Sequence, residues 1–109
     1  MKLPANSEIA RVKVTRYLLK QRDEDDKSKF LSQAGYTPAH ADKLLEDLRA
    51  LLNDEAKFIQ TTEYGDKYLI RGILEGPNGN RLRVVSIWMT EEATRQTKFV
   101  TLYPDKDEI

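Results

Sequence analysis

Cysteine is absent from the 109 residues, and histidine occurs once, at position 40. Without thiols there is neither a disulfide framework nor a thiolate metal site, and His40 alone cannot assemble a multi-histidine zinc centre. Long apolar runs are missing as well. No window approaches the roughly 18 residues of a membrane-crossing helix, and the opening Met1-Lys2-Leu3-Pro4 lacks the apolar stretch of a secretory signal. The expectation is a cytoplasmic protein that uses no metal or cofactor and no membrane. Five glycines and four prolines are too few for a flexible linker, and no repeat or low-complexity tract divides the chain. Neither sign of charge is in excess: 18 Lys and Arg stand against 18 Asp and Glu. Nonspecific, charge-driven attachment to nucleic acid or to an anionic membrane is therefore not expected.

What is present is a soluble, globular composition, 39% hydrophobic and 33% charged, of a length that buries a real core in one domain. The period of the apolar residues changes near residue 56. Before it the spacing is helical. Ala41, Leu44, Leu45, Leu48, Leu51 and Leu52 recur at three and four, with Thr37 as N-cap and Pro38 at the first helical position, which predicts a helix over 38–52. A shorter helix is expected over 26–34, preceded by acidic residues and closed by Gly35, and another over 14–19. After residue 56 the chain alternates. Strands are expected over 58–63, 67–75, 81–89 and 97–103, with Tyr64-Gly65-Asp66 as a tight turn. The fold class is α+β: two to three N-terminal helices, within about residues 8–53, packed on one face of a four-stranded antiparallel meander over about 57–104.

The segment from Lys67 to Met89 is the most explicit. Pro77, Asn78 and Gly79 suit the successive positions of a type I turn followed by a left-handed residue, which pairs Gly76 with Asn80 and Glu75 with Arg81. Alternation then places Tyr68, Ile70, Leu74, Leu82, Val84 and Trp88 on one face and Arg71, Glu75, Arg81 and Arg83 on the other. For the last strand, Val100 and Leu102 compete with Phe99 and Tyr103 for the core side. Charge is also unevenly placed. Between Lys67 and Tyr103, six basic residues stand against Glu75, Glu91 and Glu92, whereas acid gathers in Asp23-Glu24-Asp25-Asp26 and in Asp105, Asp107 and Glu108.

No phosphate-binding glycine loop, nucleophile elbow, two-histidine zinc helix or calcium loop is written in the chain. The acidic run at 23–26 lacks the spacing and turn glycine of a cation loop and reads as a solvated segment ahead of a helix. His40, in the first turn of its helix, reads as a surface or capping residue. The residues with reactive potential are Lys27, Lys29, Arg71, Arg83, Lys98, Thr101 and Tyr103. Metal-free RNA cleavage needs a base near the 2'-hydroxyl, cations for the phosphorane-like transition state and a donor for the leaving oxygen; Lys and Arg serve the second need, Tyr the third.

Lys2-Leu3-Pro4, Tyr17-Leu18-Leu19, Lys27-Ser28-Lys29-Phe30, Gly35-Tyr36-Thr37, Tyr64-Gly65, Gly76, Trp88 and Lys98-Phe99-Val100-Thr101-Leu102-Tyr103-Pro104 resemble, from end to end, a small bacterial family common in cyanobacteria and classed as a domain of unknown function. The resemblance implies a genetic setting like that of a toxin-antitoxin pair, with a small protein encoded by a neighbouring gene as partner. The order of elements is also similar to the nuclease superfamily of barnase, EndoU, colicin D and RelE toxins. That similarity implies a basic residue at a helix start, Lys27, and a closing-strand group of Lys98, Thr101 and Tyr103. A His-Pro and a glycine precede the lysine in that pattern, where this chain has Arg22-Asp23-Glu24-Asp25-Asp26.

Two functional readings follow. The first is a toxin-like protein that binds RNA through Lys27, Arg71, Arg81 and Arg83, or cleaves it without metal through Lys98, Thr101 and Tyr103. The second is a non-enzymatic interaction module, an antitoxin or assembly subunit, whose sheet docks a protein partner.

Overall fold

The computed structural model describes residues 1–20 and 27–106. The alternating half forms the expected meander: β1 (Ala56–Thr62), β2 (Gly65–Glu75), β3 (Arg81–Glu91) and β4 (Thr97–Pro104), antiparallel in the order β1-β2-β3-β4. The register of the central hairpin is the one its turn dictates, with Glu75 opposite Arg81 and Tyr68 opposite Trp88. Gly76 N–H donates to the Asn80 carbonyl at 2.9 Å, and Gly79 takes the left-handed conformation at φ 87°.

The first hairpin differs from expectation, with β1 beginning two residues earlier and ending one earlier, and β2 beginning two residues earlier. Its loop is Glu63-Tyr64, and Gly65 already pairs with Thr62. Thr62 Oγ1 accepts from the N–H groups of both Tyr64 (3.1 Å) and Gly65 (3.3 Å), a hydroxyl turn that sequence spacing does not reveal. A Cβ on Gly65 would lie 2.1 Å from the Thr90 carbonyl oxygen, so β3 approaches too closely for any other residue.

The helical half is a layer on one face. A π-helix (Lys13–Leu18) stands where an α-helix was expected over 14–19; its last wide turn closes with Leu19 N–H on the Val14 carbonyl at 3.0 Å and buries Val14, Leu18 and Leu19 together. Helix α1 (Lys27–Ser32) follows and leads to Gly35, while Asp26 and the acidic run lie outside the described residues. The leucine helix is realised in three pieces: a 3₁₀ turn (Pro38–His40), α2 (Ala41–Ala50) and a second 3₁₀ turn (Leu51–Asn53). Its start is capped reciprocally, with His40 Nδ1 accepting the Thr37 N–H at 3.4 Å and lying 2.8 Å from Thr37 Oγ1. His40 is thus a capping residue.

These helices and the inward sheet side chains Ile70, Leu74, Leu82, Val84, Trp88, Phe99 and Leu102 make one core. Trp88 is fully buried against Phe99 edge-on, ring centres 5.3 Å apart. Its indole N–H donates to Ser86 Oγ at 2.8 Å, and that hydroxyl donates to the Ile70 carbonyl at 3.0 Å, so the buried polar atoms are satisfied.

β4 resolves the competition for its core side with a bulge. Phe99 pairs with Trp88 and Thr101 with Ile87, so Val100 is the extra residue and the alternation changes parity there. Phe99 before the bulge and Leu102 after it both face the core, and Tyr103 faces away. The N-terminal segment covers part of the outer edge of β4. Glu8 N–H donates to the Thr97 carbonyl and Phe99 N–H to the Glu8 carbonyl, both at 2.8 Å.

Candidate functional site on the uncovered sheet face

One face of the sheet packs on the helices; among the described residues no helix packs on the other. Cross-strand rows on this outer face follow from the register. Lys67, Met89 and Lys98 form one row; Lys57, Leu69 and Ile87 the next, where the Thr101 backbone pairs with Ile87 while its hydroxyl meets Tyr17 at the sheet edge; then Arg71, Val85 and Tyr103; then Ile73 and Arg83; then Glu75 and Arg81. The Asp105 N–H donates to the Arg83 carbonyl at 2.9 Å, which carries the ladder one residue past β4 and sets Asp105 beside Arg83.

Two of the arginines expected to bind anions come together with Tyr103 at one end of this face. Arg71, Val85, Tyr103, Pro104, Asp105 and Lys106 line an open pocket of about 400 Å³. A neighbouring depression of about 280 Å³ is lined by Arg71, Gly72, Ile73, Arg83 and Asp105. Arg71 Nη1 donates to Asp105 Oδ1 at 2.7 Å, and the Asp105 side chain is only 6% exposed whereas that of Arg71 is 47% exposed. The carboxylate therefore holds one side of the guanidinium while much of its remainder faces solvent. Tyr103 is 41% exposed above the buried Val85. The pocket thus offers cations and a phenol on an apolar floor.

The other expected site residues are placed elsewhere. Lys98 lies five residues before Tyr103, roughly 15 Å along the strand. There its ammonium is held by Glu91 at 3.1 Å and Glu8 at 3.6 Å. The hydrogen bond with Glu91 is the main reason its pKa stands above the ordinary lysine value, and the same bond, with one from Thr94, holds the Glu91 carboxyl below its own. Thr101 Oγ1 is 2.9 Å from the Tyr17 hydroxyl, a contact to the π-helix. Arg81 sits at the hairpin end, 3.4 Å from Glu75. Lys27 begins α1, in the layer on the opposite face. Asp105 and Lys106, which complete the pocket, read in the sequence as the start of a charged tail; only the ladder bond to Arg83 reveals that Asp105 belongs to the sheet. Among the described residues no group of three or more His, Asp or Glu is placed to hold a metal ion, and no helix is long and apolar enough to cross a membrane.

Helices on one face of a four-stranded antiparallel meander, with a cationic pocket on the bare face, define an α+β protein built around an open sheet surface. The sequence over residues 2–106 matches the domain of unknown function DUF6883, and the chain belongs to that family. No protein of curated function matches it. Among solved structures, it is similar to a chain of the contact-dependent growth inhibition toxin and immunity protein complex from Klebsiella pneumoniae 342, with a TM-score of 0.67 over 94% of this chain and 97% of that one. The identity is 19%, so the likeness is one of fold.

Proposed function

We propose that the protein is a toxin-like RNA-binding protein whose pocket between Arg71, Tyr103 and Asp105 cleaves RNA without a metal ion. The observation that carries this reading is the convergence on the uncovered face of Arg71, Tyr103 and Asp105 around an open pocket large enough for a nucleotide, with Arg83 in the adjoining depression. In the reaction, the 2'-oxygen of a ribose attacks the adjacent phosphorus, the bond from phosphorus to the 5'-oxygen breaks, and a 2',3'-cyclic phosphate and a 5'-hydroxyl result. Asp105, the one carboxylate among the described residues that line the pocket, takes the 2'-hydroxyl proton; Tyr103 gives its proton to the departing 5'-oxygen. Arg71 and Arg83 stabilise the charge that develops on the phosphoryl oxygens. Lys98 and Thr101 lie further along β4 and are assigned to flanking contacts, with Arg81 at the hairpin end; Lys27 stands outside this site. The fold shared with a chain of a toxin and immunity protein complex is compatible with a toxin-like role.

The second reading is an interaction module that docks a small protein encoded by a neighbouring gene. It is favoured by the ion pairs that already occupy Lys98 and Arg81, since paired cations at a rim suit a protein interface as well as a phosphate track.

The deciding experiment incubates the purified protein with total RNA in chelator at low salt, beside Tyr103→Phe, Arg83→Ala and Lys98→Ala, and resolves the products on a denaturing gel. Discrete fragments that vanish with Tyr103→Phe and Arg83→Ala but persist with Lys98→Ala support the pocket. Fragments lost only with Lys98→Ala move the site to the other end of β4. Intact RNA throughout leaves the interaction module.

A further inference from the structure

Beyond the pocket, the outer face continues over β2, β3 and β4 as an apolar strip bordered by cations. Leu69, Ile87 and Met89 are half-buried and Val85 is buried, yet no described helix packs on them. Among the described residues, Lys57, Lys67, Arg71, Arg81, Arg83, Lys98 and Lys106 stand around the strip, seven cations against the carboxylates of Glu8, Glu75, Glu91 and Asp105. Lys57 and Lys67 have no ion pair among the described residues. On a chain whose formal net charge is zero, this excess is a property of one face, and it is complementary to a polyanion.

The apolar strip decides which polyanion. A duplex presents its phosphates outward and keeps its bases stacked inside, so it would set charged oxygens against Leu69, Ile87 and Met89 and leave their apolar surface unused. A single strand can turn its bases onto that surface while its phosphates reach the bordering lysines and arginines. The dimensions agree. From Arg83 to Met89 the face runs six residues, roughly 20 Å along β3, and β2 to β4 spans about 10 Å, a strip on the scale of a few extended nucleotides. Tyr103, exposed at the pocket end, supplies a ring on which one base stacks.

We infer that the outer sheet face is a platform for single-stranded RNA, with bases laid over Val85, Ile87, Leu69 and Met89 between the Arg71–Arg83 end and the Lys67–Lys98 end. This inference rests on the RNA reading of the pocket and adds the substrate class and the path of the strand. A docked protein would use the same surface differently, through shape and apolar burial, with little dependence on nucleic acid.

The test uses a fluorescently labelled ten-nucleotide RNA of mixed sequence carrying 2'-O-methyl groups, which cannot undergo attack by the 2'-oxygen, so binding is read without cleavage. Anisotropy is measured at low salt for this strand alone and annealed to its complement, with the wild-type protein, Ile87→Glu and the surface variant Lys67→Glu, each checked for folding by circular dichroism. The expected result is at least tenfold tighter binding of the single strand than of the duplex, at least tenfold weakening by Ile87→Glu, and several-fold weakening by Lys67→Glu. Equal affinity for duplex and single strand overturns the platform. So does full binding by both variants, or by Lys67→Glu where Ile87→Glu fails to fold. If RNA fragments are still produced by both variants and lost with Tyr103→Phe, the platform falls while the pocket stands. If no nucleic acid binds and no RNA is cut, both fall, and the face belongs to a protein partner.

Discussion

Tyr36 is the residue at which burial and charge act most visibly on a single group. Its ring is buried, and its hydroxyl donates to Asp47 Oδ2 at 2.6 Å, a carboxylate that also holds Lys43 at 2.8 Å. Burial first, and the hydrogen bond to Asp47 second, push the phenol far above its ordinary value of 10.0. The folded state therefore keeps the proton after the unfolded chain has released it. Between the unfolded and folded values the unfolded state binds fewer protons, so stability falls as pH rises. Below pH 10 the group is protonated in both states and contributes no slope. The expected outcome is that wild-type stability, measured by urea unfolding, declines from about pH 10 upward more steeply than that of Tyr36→Phe, and that the two curves run parallel at pH 7 to 9. Parallel curves above pH 10 would show that the Tyr36 hydroxyl is not buried on Asp47. At the same scale, Arg71 and Arg83 lie on the outer face of the sheet, the reverse of the one that carries Trp88. Arg71→Ala with Arg83→Ala is expected to keep the fold, at a cost of about 1 to 3 kcal/mol because the Asp105 carboxylate, largely buried, loses its Arg71 donor, whereas Trp88→Ala costs about 3 to 5 kcal/mol.

Among the elements, those set by local chemistry were legible in the sequence and those set by distant contacts were not. The turn, register and faces of the β2–β3 hairpin could be read because Pro77, Asn78 and Gly79 fix the turn and a period of two fixes the faces, although both strands run two residues further than expected, to Gly65 and Glu91. The leucine helix was legible from its cap and its spacing. β4 was not, because strict alternation cannot represent a bulge: Phe99 and Leu102 are three apart and yet share the core. The expected grouping of Lys98, Thr101 and Tyr103 depended on the same strand, and the partners that engage Lys98 and Thr101 instead, Glu8 and Tyr17, come from other elements. The strap of residues 5–9 along β4 is the clearest of these long-range devices. Arg49 of α2 donates to the carbonyls of Ala5 at 3.0 Å and Ser7 at 3.1 Å, and the strap then pairs with Thr97 and Phe99. Removing the guanidinium leaves the Ser7 backbone, whose residue is buried, without its charged donor. Arg49→Ala is expected to cost about 1 to 3 kcal/mol and, in hydrogen exchange, to speed the amides of Glu8 and Phe99 about tenfold or more while leaving the β2–β3 amides at the global rate. Unchanged protection at Glu8 and Phe99 would mean that β4 holds the strap without α2.

For the whole molecule, zero net charge and a cationic face make a specific demand on salt dependence. Folding relies on a core of Leu, Val, Ile and Trp88, and its ion pairs are mostly exposed, so screening changes stability little. Binding of RNA on the outer face would release counterions from each phosphate met by a lysine or arginine. With about four such contacts on a single strand, the slope of about −0.7 per phosphate gives roughly a 50-fold loss of affinity between about 50 and 200 mM salt. The expected pair of results is a thermal midpoint that moves by no more than about 2 °C over that range while RNA affinity falls by that factor. A weak salt dependence together with measurable binding would place the bases, held by apolar contact, above the phosphates in the energetics. If instead the thermal midpoint moved strongly with salt, the pairs among Lys98, Glu91 and Glu8 and between Arg71 and Asp105 would be holding the fold, and the same cations could not then be released to a ligand without loosening β4. The two titrations together therefore distinguish a face whose charges are available to RNA from one whose charges are committed to the sheet.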